Sequence, residues 1–206
     1  MLASSSIIED IIALQKAGLA SLAFFYFDFR DVTKVDLRGL LSSLLVQLCH
    51  QSDSYRDIVL KFYSEHVEGS QDPSDDELAG CLKRLLKLPG SAPVYLIVDA
   101  LDDCPNTNTS SIPSPRAEVL NLIEELIKSQ FPNLRICVTS RPEIDIKDVL
   151  DTLTFRSVSL HDEGGQKRDI EDFIKWFVYA DTKCRSWRAE HRQLAIDVLT
   201  EQADGM

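Results

Sequence analysis

Apolar positions recur along this chain in two rhythms, and the change from one to the other marks the elements. Ile7, Ile8, Ile11 and Ile12 fall on one side of a helix; Ser6 and Glu9 have the spacing of a capping box for it, and Gly18 stops it. Leu19 to Phe29 then reads as a strand, and Asp28 to Asp31 closes it. Its aromatic run from Phe24 to Phe29 reads as core rather than as a ligand platform. From Leu37 the stripe Leu40, Leu41, Leu44, Leu45, Leu48 is the clearest helical pattern in the chain. A helix from about Ser54 to His66 follows, then the polar loop Glu68 to Asp72. Ser74 and Glu77 supply a capping box ahead of Leu78, Cys81, Leu82, Leu85 and Leu86, and Leu88-Pro89-Gly90 ends that helix.

Pro93 to Asp103 is the stretch around which the rest is organised. An unbroken apolar run, Val94 to Val98, closes on Asp99, Asp102 and Asp103, which predicts a buried parallel strand whose carboxyl end opens on a site. Ligands bind at that end of open α/β sheets. The three acids there suit a hard cation such as Mg2+, and they equally suit capping of the next turn.

A polar, proline-punctuated loop runs from Cys104 to Pro113. Ser114 and Pro115 fit the N-cap and first position of a helix carrying Val119, Leu120, Ile123, Leu126 and Ile127, and Phe131-Pro132-Asn133 breaks it. Leu134 to Thr139 is a second buried strand, ending at Ser140 and Arg141. The pattern then predicts a short helix from Ile144 to Leu150 and a strand from Phe155 to Leu160. A helix from Lys167 to Ala180 presents Ile170, Phe173, Ile174 and Phe177. A last one, from Arg188 to Ala203, presents Leu194, Ala195, Val198 and Leu199. Strands alternating with amphipathic helices predict an α/β fold with a largely parallel sheet.

Charge narrows the partners. With 33 acidic against 22 basic side chains, a net charge of -11 and no basic patch, the chain is ill-suited to nucleic acid. Leu19 to Phe29 is too short to span a membrane and contains Asp28, and Met1 opens no signal peptide because no basic residue precedes the apolar run. Five scattered cysteines without a C-x-x-C pair read as reduced thiols of a cytoplasmic protein, and the four histidines lack zinc spacing.

Two strand ends now carry chemistry: Asp99 to Asp103 on one, Thr139, Ser140 and Arg141 on the other. Val94 to Cys104 resembles a Walker B segment, Arg135 to Pro142 resembles a sensor-1 strand, and Phe24 to Asp31 follows the first helix in matching order. In that ordered set the chain resembles the NACHT-type branch of signalling NTPases, and most closely the nephrocystin 3-like N-terminal domain of fungal receptor-like proteins. The resemblance implies a P-loop NTPase-like three-layer fold with a mostly parallel sheet. It implies that Asp99 holds Mg2+ and that Asp102 and Asp103 orient the attacking water. Arg141 would sense the γ-phosphate of ATP or GTP, with Ser140 and Thr139 assisting. Asp103 stands where the family more often has glutamate, one methylene longer. The local alternative for Arg141 is an ion pair with a nearby carboxylate such as Glu143.

A P-loop needs G-x-x-x-x-G-K-[ST], and no glycine in this chain is followed by lysine; Gly164-Gly165-Gln166-Lys167 is the nearest sequence. The resemblance therefore implies a chain that lacks the first, Walker A strand and begins just after that motif, its initial helix starting at or near Met1. It implies an NTPase domain over 1–160 and the start of a helical segment over 161–206, cut at its end. The strand ahead of the P-loop would lie between the sensor-1 strand and Phe155 to Leu160, so its loss leaves unpaired sheet edges that favour aggregation. The function implied is a fragment of a nucleotide-dependent signalling switch, with nucleotide, neighbouring domains or another copy as partners. Two further readings stay open: a non-catalytic α/β interaction module, and an unrelated Mg2+-dependent phosphohydrolase built on Asp99 and Asp102.

Overall fold

The computed structural model describes residues 2–31, 34–67, 72–89, 92–107, 113–158, 164–181, 184 and 186–202. The chain divides into two compact units, Met1–Thr154 and Phe155–Met206.

In the first unit α1 (Leu2–Lys16) leads into β1 (Ser21–Tyr26), and α2 (Leu37–Cys49), α3 (Asp53–Val67) and α4 (Asp75–Leu86) precede β2 (Val94–Asp99). After a 3-10 turn at Leu101–Asp103 come α5 (Pro115–Lys128), β3 (Leu134–Val138) and α6 (Ile144–Leu153). The sheet has the order β1-β2-β3 and is parallel throughout, with Tyr26 opposite Asp99 and Val98 opposite Val138. It is an α/β fold with helices on both faces of a parallel sheet.

Strand alternation sorts the two faces. Ala23, Phe25, Phe27, Val94, Leu96 and Val98 join the leucine stripes of α2, α4 and α5 in the main core. Leu22 and Ile97 point the other way, onto Ile8 and Ile11 of α1, with Phe24, Tyr95 and Cys137 alongside. Asp99 follows Val98 in the same alternation and so lies on the α1 side.

Local signals account for the helix boundaries. Ser74 and Glu77 form a reciprocal capping box on α4, and Ser114 accepts from the Ala117 amide with Pro115 opening α5. Ser6 lies inside α1, so the capping-box spacing of Ser6 and Glu9 starts no helix. Of the aromatic run, Phe25 and Phe27 are buried, whereas Tyr26 and Phe29 face solvent.

The two outer edges of the sheet differ. On the free side of β1, the Leu22 amide donates to Gln51 Oε1 and its carbonyl accepts from Gln51 Nε2. One turn earlier on α2, Gln47 does the same for Phe24, at 3.1 and 2.7 Å. Two carboxamides thus stand in for a neighbouring strand and satisfy backbone groups that would otherwise be orphaned. The outer edge of β3 has no strand beside it among the described residues, and none of its five residues is fully buried.

The predicted strand Phe155 to Leu160 is not formed where it is described. Residues 155–158 are irregular and exposed, and Ser159 and Leu160 lie outside the described residues. Aromatic and β-branched residues favour a strand only when a neighbour offers a ladder, and none is described there. Glu68 to Gln71 of the expected polar loop, and residues 108–112 of the later one, also lie outside the described residues.

The second unit holds α7 (Gly164–Ala180) and α8 (Ala189–Gln202). Its buried residues are Val178, Cys184 and Ile196, with Ile174 packed against them. The expected apolar faces are corrected here: Phe173 and Phe177 on α7, and Leu194, Val198 and Leu199 on α8, are exposed. The small core around Cys184 takes Ile174 and Val178 from α7 and Ile196 from α8.

Candidate functional site

Parallel pairing carries the ends of β1, β2 and β3 to one edge of the sheet. Asp99 closes β2 and is buried, at 4% exposure. Thr139, the first residue after β3, donates its hydroxyl to Asp99 Oδ1 and accepts from the Ala100 amide at 3.1 Å. Backbone bonds fix both partners: Thr139 N to Val98 O at 2.9 Å, and Leu101 N to Thr139 O at 3.0 Å. Ala100 is left-handed, with φ 54° and ψ 49°, which lets the chain leave β2 and turn at once into Leu101–Asp103. An L-residue is strained there, and strain of this kind gathers at functional sites.

The Asp99 charge reaches its neighbours. Tyr26 and Cys137 flank it from the adjoining strands; burial first, and the Asp99 carboxylate second, push both their pKa values up.

Asp102 faces the β3 end. Its Oδ1 accepts from the Arg141 amide at 3.0 Å, and its Oδ2 lies 3.4 Å from Arg141 Nε. The guanidinium of Arg141 is otherwise solvent-facing. Arg141 thus pairs with a local carboxylate, as the structural alternative expected, but the partner is Asp102 rather than Glu143. Glu143 is engaged by Arg116, a buried residue that the sequence reading passed over. Its signal was available: a cation in the first turn of a helix opposes the helix dipole and calls for a specific partner.

Asp103 has a different environment. Burial, then the Asp102 charge, raise its pKa, while Arg141 and Arg30 pull the other way. Arg30 is itself held by Asp28 through two side-chain bonds of 2.9 and 3.1 Å. That contact, led by the Arg30 hydrogen bond, takes the Asp28 carboxyl down to about 2. Ser140 is exposed and donates its hydroxyl to the Arg141 carbonyl. Cys104 is no nucleophile, because burial pushes its thiol up to about 12.

The arrangement thus brings Asp99 and Thr139 into direct contact and Asp102 onto Arg141, with Asp103 beside them. Asp102 and Asp103 lie within the 3-10 turn rather than capping it: Ala100 is its N-cap residue, with no side-chain cap bond. As a metal site the donor set is partial. Among the described residues no three His, Cys, Asp or Glu side chains converge on a point that could hold a metal. Both Asp102 oxygens face Arg141, which leaves the second Asp99 oxygen and Asp103 as donors. Mg2+ is usually held by one or two carboxylates with the remaining ligands from water and phosphate. Asp99 and Asp103 are thus the carboxylates here that could contribute to holding a cation, with the remaining ligands supplied from elsewhere.

A buried acid at the end of a central parallel strand, bonded to the hydroxyl of the residue that follows the next strand, marks a candidate site at the carboxyl edge of the sheet of an α/β domain. Residues 1–141 match the family described as nephrocystin 3, N-terminal, and the chain belongs to that family. No curated protein and no solved structure matches the chain. No described helix is long and apolar enough to cross a membrane, and all five cysteines are free thiols.

Proposed function

We propose that this chain carries the Walker B and sensor-1 half of a nucleotide-dependent signalling switch of the NACHT type, within a domain over 1–160 that a helical segment over 161–206 follows. The observation that carries the reading is the Thr139 hydroxyl bonded to the Asp99 carboxylate across two parallel strand ends. That contact joins the two segments whose order and spacing first suggested the assignment. The direction of α1 supports it. Its C-terminus leads into the start of β1, so its N-terminus, the positive end of its dipole, lies toward the edge that holds Asp99.

In this reading Asp99 holds a Mg2+ borne by ATP or GTP, and the cation neutralises phosphate charge. Thr139 orients the Asp99 carboxylate. Asp103, whose carboxylate is not tied to Arg141 as that of Asp102 is, orients water. Arg141, solvent-facing and held at its base by Asp102, reaches the terminal phosphate by exchanging one carboxylate for another anion. The chain has no Gly-Lys pair to cradle phosphates. This half alone therefore binds nucleotide weakly, and its output is a change of state shared with neighbouring domains or another copy rather than fast turnover. The setting is the cytoplasm, where such nucleotides are abundant.

Calorimetric titration with Mg2+-ATP and Mg2+-GTP tests this. Weak saturable heat with dissociation constants around ~1 mM, lost in Asp99→Asn, is the expected result. No heat at several-fold higher concentration would point to an interaction module instead. Heat from Mg2+ alone would point to a free-standing metal-dependent hydrolase.

A further inference from the structure

Among the described residues, Arg116 is the most deeply buried charged group that the proposed chemistry does not use, with its side chain 5% exposed. Its Nε donates to the Cys104 carbonyl at 2.9 Å and its Nη2 to the Asp102 carbonyl at 2.6 Å. Nη1 bonds Glu143 and lies 3.3 Å from Asp145 Oδ2. One planar fork thus joins three segments: the acidic turn after β2, the first turn of α5, and the first turn of α6.

The surrounding bonds converge on the same point. Glu143 is the N-cap residue of α6 yet makes no side-chain cap, its carboxylate being given to Arg116. Asp145 also accepts from Asn106 at 3.0 Å, and Asn106 accepts from the N-cap hydroxyl of Ser114. Asp102 is gripped from both ends: Arg116 holds its carbonyl, and its carboxylate holds the Arg141 amide and Nε. A buried guanidinium remains charged, so its bonds cannot be given up singly without leaving charge unpaired.

We infer that Arg116 is a positioning residue that couples α6 to the site, setting the Asp102 carboxylate against Arg141 through the Asp102 backbone. Displacement of the α6 N-terminus draws the Glu143 and Asp145 carboxylates with it, and the fork transmits that to the turn bearing Asp102. Arg141 is released or held accordingly. The coupling rests on contacts within the chain and holds whether or not the site takes nucleotide.

Amide exchange with solvent, read by NMR on the whole chain, separates coupling from mere stability. Arg116→Lys keeps the charge but cannot bond two carbonyls and two carboxylates at once. The Arg141 amide, which donates to Asp102, is expected to exchange about tenfold faster in this variant, while core amides such as Leu96 and Ile123 change little. Glu143→Gln leaves both carbonyl bonds in place and weakens only the α6 arm. It is expected to speed the Arg141 amide by a smaller factor with the same selectivity, and it serves where Arg116→Lys fails to fold. Arg141 exchange that is unchanged in Glu143→Gln, or that rises in step with Leu96 and Ile123, would overturn the coupling.

Discussion

Replacing Thr139 by valine removes one hydroxyl while keeping shape and β-branching, so it isolates the contact on which the site is built. Two bonds are lost: the donor to the buried Asp99 carboxylate, and the acceptor for the Ala100 amide at 3.1 Å. A hydrogen bond to a charged group contributes about 1.5–3 kcal/mol and a neutral one about 0.5–1.5 kcal/mol, so the expected loss is about 2–4 kcal/mol. Leaving Asp99 without its donor at 4% exposure favours the upper half of that range. Thr139→Ser retains the hydroxyl and costs less than about 1 kcal/mol, by analogy with removal of a single buried methyl group. Equilibrium urea unfolding measures both. With a slope of about 2 kcal/mol/M, Thr139→Val lowers the midpoint by about 1–2 M at unchanged slope. In an Asp99→Asn background the charge-assisted bond becomes neutral, and the valine substitution costs correspondingly less. An unchanged midpoint in Thr139→Val, or a serine variant as damaged as the valine one, would refute the argument.

Ala100→Gly relieves a left-handed residue at φ 54° and is expected to stabilise by about 0.5–1 kcal/mol, less the added freedom of the unfolded chain; destabilisation on the same urea assay would show that the Ala100 methyl matters more than its strain. The raised pKa of Asp103 means the native state binds its proton more tightly than the unfolded state, so stability falls as pH climbs above the ordinary value of 3.8. Asp103→Asn therefore raises the melting temperature near neutral pH, and the gain shrinks as pH falls toward that value and is gone below it; a variant less stable at pH 7 would contradict the sign. Gln47→Leu with Gln51→Leu strips the carboxamides from the outer edge of β1, leaving the Leu22 and Phe24 backbone groups unpaired at about 1–3 kcal/mol each. Sedimentation should then show more self-association than the parent chain, and unchanged stability and sedimentation would argue against the sealing role.

The sheet was legible because its determinants are local and redundant. Val94 to Val98 is a continuous apolar run of strand length, and the capping box at Ser74 and the N-cap at Ser114 hold because their partners lie three residues away. The pairing of Asp99 with Thr139 was foreshadowed by strand order, but the bond itself spans 40 residues and is set by register. The side-chain contacts that seal the sheet edge and join α5 to α6 were not legible. Nothing in Gln47 and Gln51 distinguishes a strand-sealing amide from a solvated one, and Arg116 declares itself only by its unfavourable place in the first turn of α5. Phe155 to Leu160 misled because a β-prone segment becomes a strand only beside a partner. The apolar stripes of α7 and α8 misled because amphipathicity names an apolar face without naming what covers it.

The claim that these strand ends form half of a nucleotide site is tested most directly by mapping backbone amide shifts while Mg2+-ATP is raised to several times ~1 mM. The account predicts saturating shifts at Asp99 to Asp103 and at Thr139 to Arg141, abolished by Asp99→Asn with the rest of the spectrum intact. Shifts absent from both strand ends, or confined to the opposite end of the sheet around Gln15, His50 and Tyr55, would contradict it.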